Sequence, residues 1–171
     1  GESLKELGVD VDYFLIVGKG LPGYVRNIFR LRKFLKHRSY DMIHAHYSLS
    51  GIVAGLASRI PIVTSLMGSD VHSSGIMRQV IRWFSRKVWR HVIIKSKGMS
   101  GKDVFKEASI IPNGVDLDHF KPIDKERARK KVGFNNQRHV LFVANPKRKE
   151  KNYALAKQAF ALLNDENIEL N

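Results

Sequence analysis

The chain has 171 residues and an apolar fraction of 43%, enough to bury one hydrophobic core or to begin a second. It has no cysteine, which excludes a disulfide framework and a thiolate metal site, and its longest apolar runs are far shorter than the roughly 20 residues of a membrane-spanning helix. Thirty lysines and arginines against 16 acidic residues give a formal net charge of +14. That charge favours polyanionic partners such as phosphates, anionic lipids or nucleic acid, or else forms a solvated surface that only aids solubility.

The amino-terminal part of the chain predicts a helix, a strand and a second helix. Two leucines spaced three apart, followed by a glycine, predict that residues 2–7 form the end of a helix. Residues 9–17, VDVDYFLIV, alternate and then become continuously apolar, as in a strand covered on both faces. After a turn rich in glycine, residues 24–37 have helical periodicity. Val25 and Phe29 belong to the apolar face of that helix, and its polar face is almost purely basic.

From residue 41 onward, short strands and helices alternate regularly. The predicted strands are 41–45, 61–66 and 91–95, and the predicted helices are 51–59, 76–90 and about 100–106. Strands alternating with helices of this length indicate βαβ units and a parallel sheet, so the predicted fold class is α/β. Helix 51–59 is rich in glycine and alanine, which allows close packing on the sheet.

The stretch SIIPNGVDLDHFKPID at residues 109–124 predicts a linker between two α/β domains. A short apolar strand there runs into Pro-Asn-Gly, whose asparagine and glycine readily adopt positive φ angles. A charged helix capped by Asp124 and ended by Gly133 follows, and then a new unit of strand 139–145 and helix 150–163. The predicted organisation is a first domain at 1–111, a linker at 112–123 and the first βα unit of a second domain at 124–171.

Four segments carry a family resemblance: 41-DMIHAHYSLSG-51, 61-PIVTSLMGSD-70, 110-IIPNGVDLDHFKP-122 and 140-VLFVANPKRKEKN-152. In this order and spacing they resemble glycosyltransferase family 4, a large group of GT-B-fold enzymes that use activated sugar donors. His-Ala-His alone is a weak signal, whereas the Ile-Pro-Asn-Gly-Val-Asp motif followed by a strand and a Lys-Asn helix start is a strong one. The resemblance implies two Rossmann-like, doubly wound domains, with the acceptor mainly on the first and the nucleotide-sugar on the second. Ligands of such sheets bind at the carboxyl ends of the strands.

The resemblance also implies a function. We expect a metal-independent, retaining transferase that moves a sugar from a nucleotide-sugar donor to a saccharide or lipid-linked acceptor in cell-envelope polysaccharide or glycoconjugate biosynthesis. No cofactor is expected beyond the nucleotide-sugar substrate. The expected location is the cytoplasm, at the inner face of the plasma membrane if the basic helices 24–37 and 76–90 bind anionic lipid. Trp83, Phe84 and Trp89 of the second helix suit such an interface, or else the protein core.

On the donor side, the predicted phosphate-binding residues are Arg148 and Lys151. Lys151 opens the helix after strand 139–145, where its ammonium group and the helix amides can hold a diphosphate together. In the family this lysine acts with an arginine six residues earlier, and here that position is Asn145. Arg148 is the candidate substitute, because a guanidinium offers two parallel donors to phosphate. The alternative is a solvated basic loop.

On the acceptor side, Asp70 matches the acid of the family's His-Gly-x-Asp motif and is a predicted catalytic residue. It either orients an acceptor hydroxyl or caps the helix that follows. Gly68 and Ser69 of the same turn are predicted to bind substrate, with Gly68 allowing close approach. Asn113 and Gly114 match the family's hinge and are also placed among the substrate-binding residues, with a geometric rather than a catalytic role.

His46, at the end of strand 41–45, is the second predicted catalytic residue. We expect His44 and His46 to point to opposite faces of the strand, with His44 buried, so that the two cannot chelate one ion, and no metal site is predicted. Met67 stands where the family commonly has a histidine that contacts the reacting sugar, and a thioether cannot replace it as a proton acceptor. Either that role moves to His46 or His72, or the enzyme manages without it.

The family's first strand and glycine-rich turn would precede residues 2–7, and most of its donor domain would follow residue 171. The chain starts without methionine, so we expect an excised piece with a gap among its parallel strands that turns over no donor by itself. The rival interpretations are a GT-B sugar-nucleotide epimerase, a catalytically inactive relative, and a basic nucleic-acid- or membrane-binding module. The Ile-Pro-Asn-Gly-Val-Asp stretch argues against the epimerase, and nucleic acid is disfavoured because no stacking platform or recognition-helix motif is visible.

Overall fold

The computed structural model describes residues 2–70, 75–99 and 108–171. The helices are α1 Glu2–Glu6, α2 Gly20–Leu35, α3 Ser48–Ala57, α4 Gly75–Lys87, α5 Lys125–Val132 and α6 Tyr153–Ala161. The strands are β1 Ile43–His46, β2 Ile62–Ser65, β3 His91–Ile94, β4 Ala108–Ile110, β5 Arg138–Val140 and β6 Ile168–Leu170. Short 3₁₀ turns occupy Lys97–Met99 and Lys149–Lys151.

The chain divides into two compact units, Gly1–Gly114 and Val115–Asn171. The boundary between them falls inside the predicted linker at 112–123. The exact domain limits proposed from the sequence stay predictions.

The first unit is built on a four-stranded sheet with the order β1-β2-β3-β4. All three strand pairs are parallel, with Ile43 opposite Ile62, Val63 opposite His91 and Val92 opposite Ala108. The second unit contains a parallel pair, β5 and β6. The alternation of strands and helices therefore predicted the α/β class and the parallel sheet correctly.

The hydrophobic core lies in the first unit. Its buried members are Leu31, Ala45, Val53, Ala54, Ile62, Leu66, Ile81, Phe84, Trp89, Val92, Ile94 and Met99. Phe84 and Trp89 are thus core residues, as one of the two interpretations of the aromatic helix held, whereas 56% of Trp83 is exposed. Among the described residues, no helix is both long and apolar enough to cross a membrane.

Two glycines let α3 pack closely, as its composition predicted. A Cβ at Gly51 would lie 2.6 Å from Thr64 Oγ1 and 2.9 Å from the ring of Trp89, and one at Gly55 would lie 2.6 Å from Val88. Thr64 Oγ1 and Trp89 Nε1, both on the surface that α3 covers, are buried and have no hydrogen-bond partner among the described residues. Helix α3 is therefore held against β2 and the end of α4 with no room for a methyl group.

The predicted strand at 9–17 is wrong, because these residues form no regular secondary structure. A strand requires a partner strand, and no hydrogen bond between two backbone groups involves residues 10–17 in the described part of the chain. The side chains still alternate: Phe14 and Ile16 pack against the core, while Tyr13 and Leu15 are exposed. The sequence pattern identified the alternation correctly but could not supply the neighbouring strand.

Helix α2 begins four residues before its predicted start and turns a different face inward. Val25 and Phe29, predicted to be on its apolar face, are exposed, and Asn27 is completely buried. Asn27 Nδ2 donates to the carbonyl oxygens of Val17 at 2.7 Å and Gly23 at 2.6 Å. The bond to Val17 satisfies a carbonyl that has no strand partner among the described residues, whereas the bond to Gly23 lies within α2. Together they fix the rotation of the helix.

Other element ends also differ from the predictions. Helix α3 begins three residues earlier than predicted, and α4 ends three residues earlier. Helix α5 has both expected caps, because the Asp124 carboxylate accepts the Arg127 amide at 2.9 Å and Gly133 has a φ of 75°. The predicted strand 139–145 is a strand only over Arg138–Val140, and α6 starts at Tyr153 instead of residue 150. The helix predicted at 100–106 lies outside the described residues.

Candidate functional site

Two turns meet at the carboxyl end of the sheet. Strand β1 ends at His46 and β2 ends at Ser65, and these two residues are direct neighbours in the parallel register. The turn after β1 leads at once into α3, and the turn after β2 runs from Leu66 to Asp70. This edge is where open parallel sheets bind ligands.

The Asp70 carboxylate joins the two turns. Its Oδ1 accepts the backbone N–H groups of Met67 and Gly68, each at 2.9 Å, and its Oδ2 accepts the N–H of Ser48 at 3.1 Å. Ser48 is the first residue of α3, so the carboxylate satisfies a free amide at the positive end of that helix. Only 3% of Asp70 is exposed. Asp70 therefore caps α3 and sets the shape of the turn after β2.

This geometry bears on the predicted catalytic role of Asp70. A carboxylate offers about four acceptor positions, and backbone amides in the described part of the chain already occupy three of them. The arrangement favours a positioning role, in which Asp70 holds the turns that approach a ligand. Direct contact between Asp70 and an acceptor hydroxyl stays a prediction.

The backbone conformation at position 68 requires glycine. Its φ of +108° lies in a region that side-chain-bearing residues rarely adopt, although a Cβ there would meet nothing within 4 Å. The next residue, Ser69, is exposed, and so is 47% of Met67. The turn thus presents a hydroxyl, a thioether and an open space over Gly68 to a ligand, and substrate contact by Gly68 and Ser69 stays a prediction.

The prediction that His44 and His46 point to opposite faces is wrong, because residues two apart on a strand share a face. Their ring centroids lie 4.5 Å apart, and both residues are exposed, including His44, which was expected to be buried. His44 Nε2 is 2.8 Å from Ser65 Oγ. Desolvation of the His44 ring, together with the nearby His46 and Lys95, lowers the pKa of His44 below its usual 6.5.

His46 is accessible to a ligand at the end of β1, which agrees with its predicted place in the site. Its catalytic role stays a prediction. Within the described ranges, no group of three or more His, Asp or Glu residues is arranged to hold a metal ion. His72, the other candidate to replace the family's histidine, lies outside the described residues.

Sequence reasoning missed Tyr47, which lies between His46 and Ser48. Its φ of 82° and ψ of 145° are strained for any residue other than glycine. The Tyr47 amide donates to the Ser65 carbonyl at 2.8 Å, and its own carbonyl accepts the Gly51 amide at 3.1 Å. A tyrosine carries no sequence signal for this conformation.

In the second unit, Arg148 and Lys151 lie in an exposed basic turn. Arg148 Nε donates to Glu150 Oε1 at 2.6 Å, and the two side chains form an ion pair. A backbone hydrogen bond and the Arg148 guanidinium lower the pKa of Glu150. Lys151 belongs to the 3₁₀ turn and does not open the following helix as predicted, because Asn152, with a φ of 50°, separates it from α6.

The start of α6 is partly capped. Asn152 Oδ1 accepts the Leu155 amide at 3.3 Å, and the amides of Tyr153 and Ala154, at the positive end of the helix, have no hydrogen-bond acceptor among the described residues. Asn145, which stands in place of the family's arginine, accepts the Lys147 amide at 3.0 Å and so shapes the loop. Phosphate binding by Arg148 and Lys151 stays a prediction.

The hinge pair differs from its expectation. Neither Asn113 nor Gly114 has a positive φ, and a Cβ at Gly114 would meet nothing within 4 Å. Both residues are exposed at the end of the first unit. Their contribution to substrate binding stays a prediction.

Comparison with known proteins finds a glycosyl transferase family model and two glycosyltransferase relatives. The model of the glycosyl transferase 4-like domain matches residues 1–93. The chain is 29% identical over 124 residues to the UDP-Gal:alpha-D-GlcNAc-diphosphoundecaprenol alpha-1,3-galactosyltransferase of Escherichia coli, covering 63% of this chain and 32% of that protein. It is also 29% identical over 145 residues to D-inositol 3-phosphate glycosyltransferase 2 of Catenulispora acidiphila, covering 71% of this chain and 34% of that protein. The chain thus spans about a third of the length of these relatives.

Among solved structures, the sucrose-phosphate synthase of Thermosynechococcus elongatus is similar, with a TM-score of 0.64 and 15% identity. The likeness covers 88% of this chain and 49% of that one. At this identity it shows the fold alone, and it confirms the predicted GT-B type of α/β fold.

Proposed function

The chain belongs to the glycosyl transferase 4-like family, and we propose that the protein containing it transfers a sugar from a nucleotide-sugar donor to a saccharide or lipid-linked acceptor. The observation that carries this proposal is the pair of turns after β1 and β2, which Asp70 ties together at the carboxyl end of the sheet. The names of the two relatives support it: one is a galactosyltransferase with a diphosphoundecaprenol-linked substrate, and the other acts on D-inositol 3-phosphate.

In this proposal the first unit holds the acceptor. The exposed imidazole of His46 hydrogen-bonds the acceptor hydroxyl and accepts its proton as the acceptor oxygen bonds to the sugar carbon and the diphosphate leaves. Asp70 acts through the backbone: it fixes the Met67 and Gly68 amides and the start of α3, so that the acceptor lies in one orientation. Asn113 and Gly114 are proposed to position the substrate through the hinge.

The second unit is proposed to bind the diphosphate of the donor. Negative charge develops on the leaving diphosphate, and fixed positive groups that meet it lower the barrier. Lys151 and the free amides at the start of α6 supply such groups, while Arg148 shares its charge with Glu150. These groups support a reaction without a metal. We propose that the acceptor oxygen attacks the face of the sugar from which the diphosphate leaves, so that the sugar keeps its anomeric configuration.

The exposed faces of α2 and α4 support peripheral binding to an anionic membrane. On α4, exposed Ile76 and Trp83 lie among exposed arginines, and on α2 the exposed Leu21, Val25 and Phe29 follow one another at intervals of four residues. Apolar groups bordered by cations suit the boundary between lipid head groups and acyl chains. We propose that the protein acts at the cytoplasmic face of the plasma membrane in cell-envelope polysaccharide or glycoconjugate synthesis.

The test uses the longer protein and a panel of nucleotide-sugars together with sugar and polyprenyl-diphosphate acceptors. Free nucleoside diphosphate and a glycosylated acceptor should appear together with one donor, in the presence of a metal chelator. The anomeric configuration of the product, read by NMR, should match that of the donor. Hydrolysis or epimerisation of the donor without any transfer would overturn the proposal.

A further inference from the structure

A basic, aromatic groove lies at the opposite end of β1 from the candidate site. Its volume is about 640 Å³, and it is bordered by residues 12–14, the outer side of α2 and residues 37–40. Tyr40 lies three residues before β1 begins, whereas His46 ends that strand. The groove is therefore at the amino end of the sheet, away from the edge proposed for sugar transfer.

The groove carries uncompensated positive charge. Arg30, Lys33 and Arg38 line it together with a single carboxylate, Asp12. Arg38 at 2.6 Å and the Tyr40 hydroxyl at 2.9 Å both donate to Asp12 Oδ2. The Tyr40 hydrogen bond and then the Arg38 guanidinium lower the pKa of Asp12, so the carboxylate is charged and engaged. Asp10 also acts on Arg38, and among the described residues neither Arg30 nor Lys33 forms an ion pair with an acidic side chain.

Arg30 and Lys33 form no ion pair in the described part of the chain, and both side chains are exposed. Lys33 has no hydrogen bond or ion pair in the described part of the chain, and Arg30 has only the neutral Asn27 Oδ1 at 2.6 Å. Lys33 lies in the last turn of α2, where a cation offsets the helix dipole. Arg30 lies more than a turn earlier and contacts the neutral groups Asn27 and Phe14 instead of an acidic residue.

The other wall of the groove is aromatic. Phe14 and Phe34 have ring centroids 5.4 Å apart, and Phe34 and Tyr40 lie nearly parallel with centroids 6.0 Å apart. The Arg30 guanidinium lies over Phe14, 5.4 Å from the ring centroid. Flat aromatic faces beside cations recognise a ring joined to a phosphate, because the ring stacks while the phosphate meets the cations.

We propose that this groove binds a free phosphate ester that carries a planar ring, such as a nucleotide, at a site separate from that of sugar transfer. The phosphate meets Lys33 and Arg30, and the ring lies against Phe34 and Tyr40. The proposal does not depend on the transferase activity.

Isothermal titration of the 171-residue chain with adenosine monophosphate and, separately, with inorganic phosphate tests the proposal. At low ionic strength both should bind, adenosine monophosphate about fivefold more tightly or better because its base stacks. Lys33→Glu should weaken both by about tenfold or more because it reverses one of two uncompensated charges. Phe34→Leu should weaken adenosine monophosphate alone. If the wild-type chain bound neither adenosine monophosphate nor inorganic phosphate, the proposal would be overturned.

Matched variants distinguish specific binding in the groove from general electrostatic attraction to the basic surface and from binding at the proposed donor site. Lys36→Glu makes the same charge change on an exposed residue just after α2 and outside the groove, and it should alter neither affinity by more than about twofold. Equal losses in Lys33→Glu and Lys36→Glu, or loss of adenosine monophosphate binding in Lys151→Ala, would contradict the proposed site. Binding to vesicles of phosphatidylglycerol and phosphatidylcholine tests whether the ligand is a lipid head group instead of a free phosphate ester. If the ligand is free, Lys33→Glu and Lys36→Glu should reduce vesicle binding equally. A loss of vesicle binding confined to Lys33→Glu would contradict the proposal that the groove binds a free ligand.

Discussion

Replacing Asp70 by alanine tests the most consequential contact of the first unit. The substitution removes the acceptor of three backbone N–H groups, those of Ser48, Met67 and Gly68. Ser48 is buried, so its amide would remain without a partner at a cost of about 2 kcal/mol. Met67 is exposed and Gly68 is partly exposed, so water can reach their amides and each loses about 0.5 kcal/mol. The sum predicts that the free energy of unfolding falls by about 3 kcal/mol.

Tryptophan fluorescence during urea unfolding measures this change in the first unit alone. The chain has two tryptophans, Trp83 and Trp89, and both belong to that unit. With a denaturant slope of about 2 kcal/mol per molar, the midpoint should fall by about 1.5 M. Asp70→Asn keeps one acceptor oxygen and the shape of the side chain, so its loss should be smaller, about 1 to 2 kcal/mol.

The neighbouring residue provides the control. Ser69 is exposed, so Ser69→Ala should change the free energy of unfolding by no more than about 0.5 kcal/mol. If Asp70→Ala were as stable as Ser69→Ala, the carboxylate would not be the link between the two turns, and the positioning role given to Asp70 would be wrong.

Four further predictions concern stability, pH and the membrane. Gly51→Ala should lower the free energy of unfolding by about 2 kcal/mol in the same urea assay because its methyl group has no room, whereas Gly114→Ala, with open space, should change it by less than about 0.5 kcal/mol. Thr64→Val should raise stability by about 1 kcal/mol, since it removes a buried hydroxyl without a partner while keeping the shape; a loss of stability would show that the hydroxyl has a partner. The pKa of His44 is lowered in the folded state, so near that pKa the folded state binds fewer protons than the unfolded state. The free energy of unfolding of the wild type should therefore fall as the pH drops below about 6.5. In urea titrations at several pH values, His44→Gln should weaken that pH dependence. The chain should sediment with phosphatidylglycerol vesicles at low salt, less so at high salt, and Trp83→Ala should reduce the bound fraction; sedimentation that is independent of salt and of this residue would contradict the proposed membrane contact.

The sequence was sufficient for the order of the elements because their signals are local. The periodicity of α4, the caps Asp124 and Gly133 and the apolar runs of β2 and β3 each depend on a few neighbouring residues. The same reasoning failed at residues 9–17, where strand formation depends on a partner that the pattern cannot provide. It also failed for α2, because the burial of Asn27 follows from backbone groups ten residues away.

The positions of the candidate residues in the fold were predicted better than their contacts, and their roles stay predictions. Asp70 and His46 were placed at the strand ends, where the structure has them, because parallel strands end together. Two features were out of reach because they depend on tertiary structure: the bond from Ser48 to Asp70 and the strained backbone of Tyr47. The approach of His44 to His46 could have been predicted, because residues two apart on a strand share a face, but that rule was misapplied.

Single-turnover transfer by the longer protein tests the central claim most directly. With the donor and acceptor that support turnover, formation of the glycosylated acceptor should be slowed about 100-fold by His46→Ala and by Lys151→Ala, while the exposed control Lys36→Ala should react like the wild type. Circular dichroism should show that all three variants remain folded. Transfer at the wild-type rate in both His46→Ala and Lys151→Ala would contradict the assignment of the acceptor to the turns after β1 and β2 and of the diphosphate to the basic turn before α6.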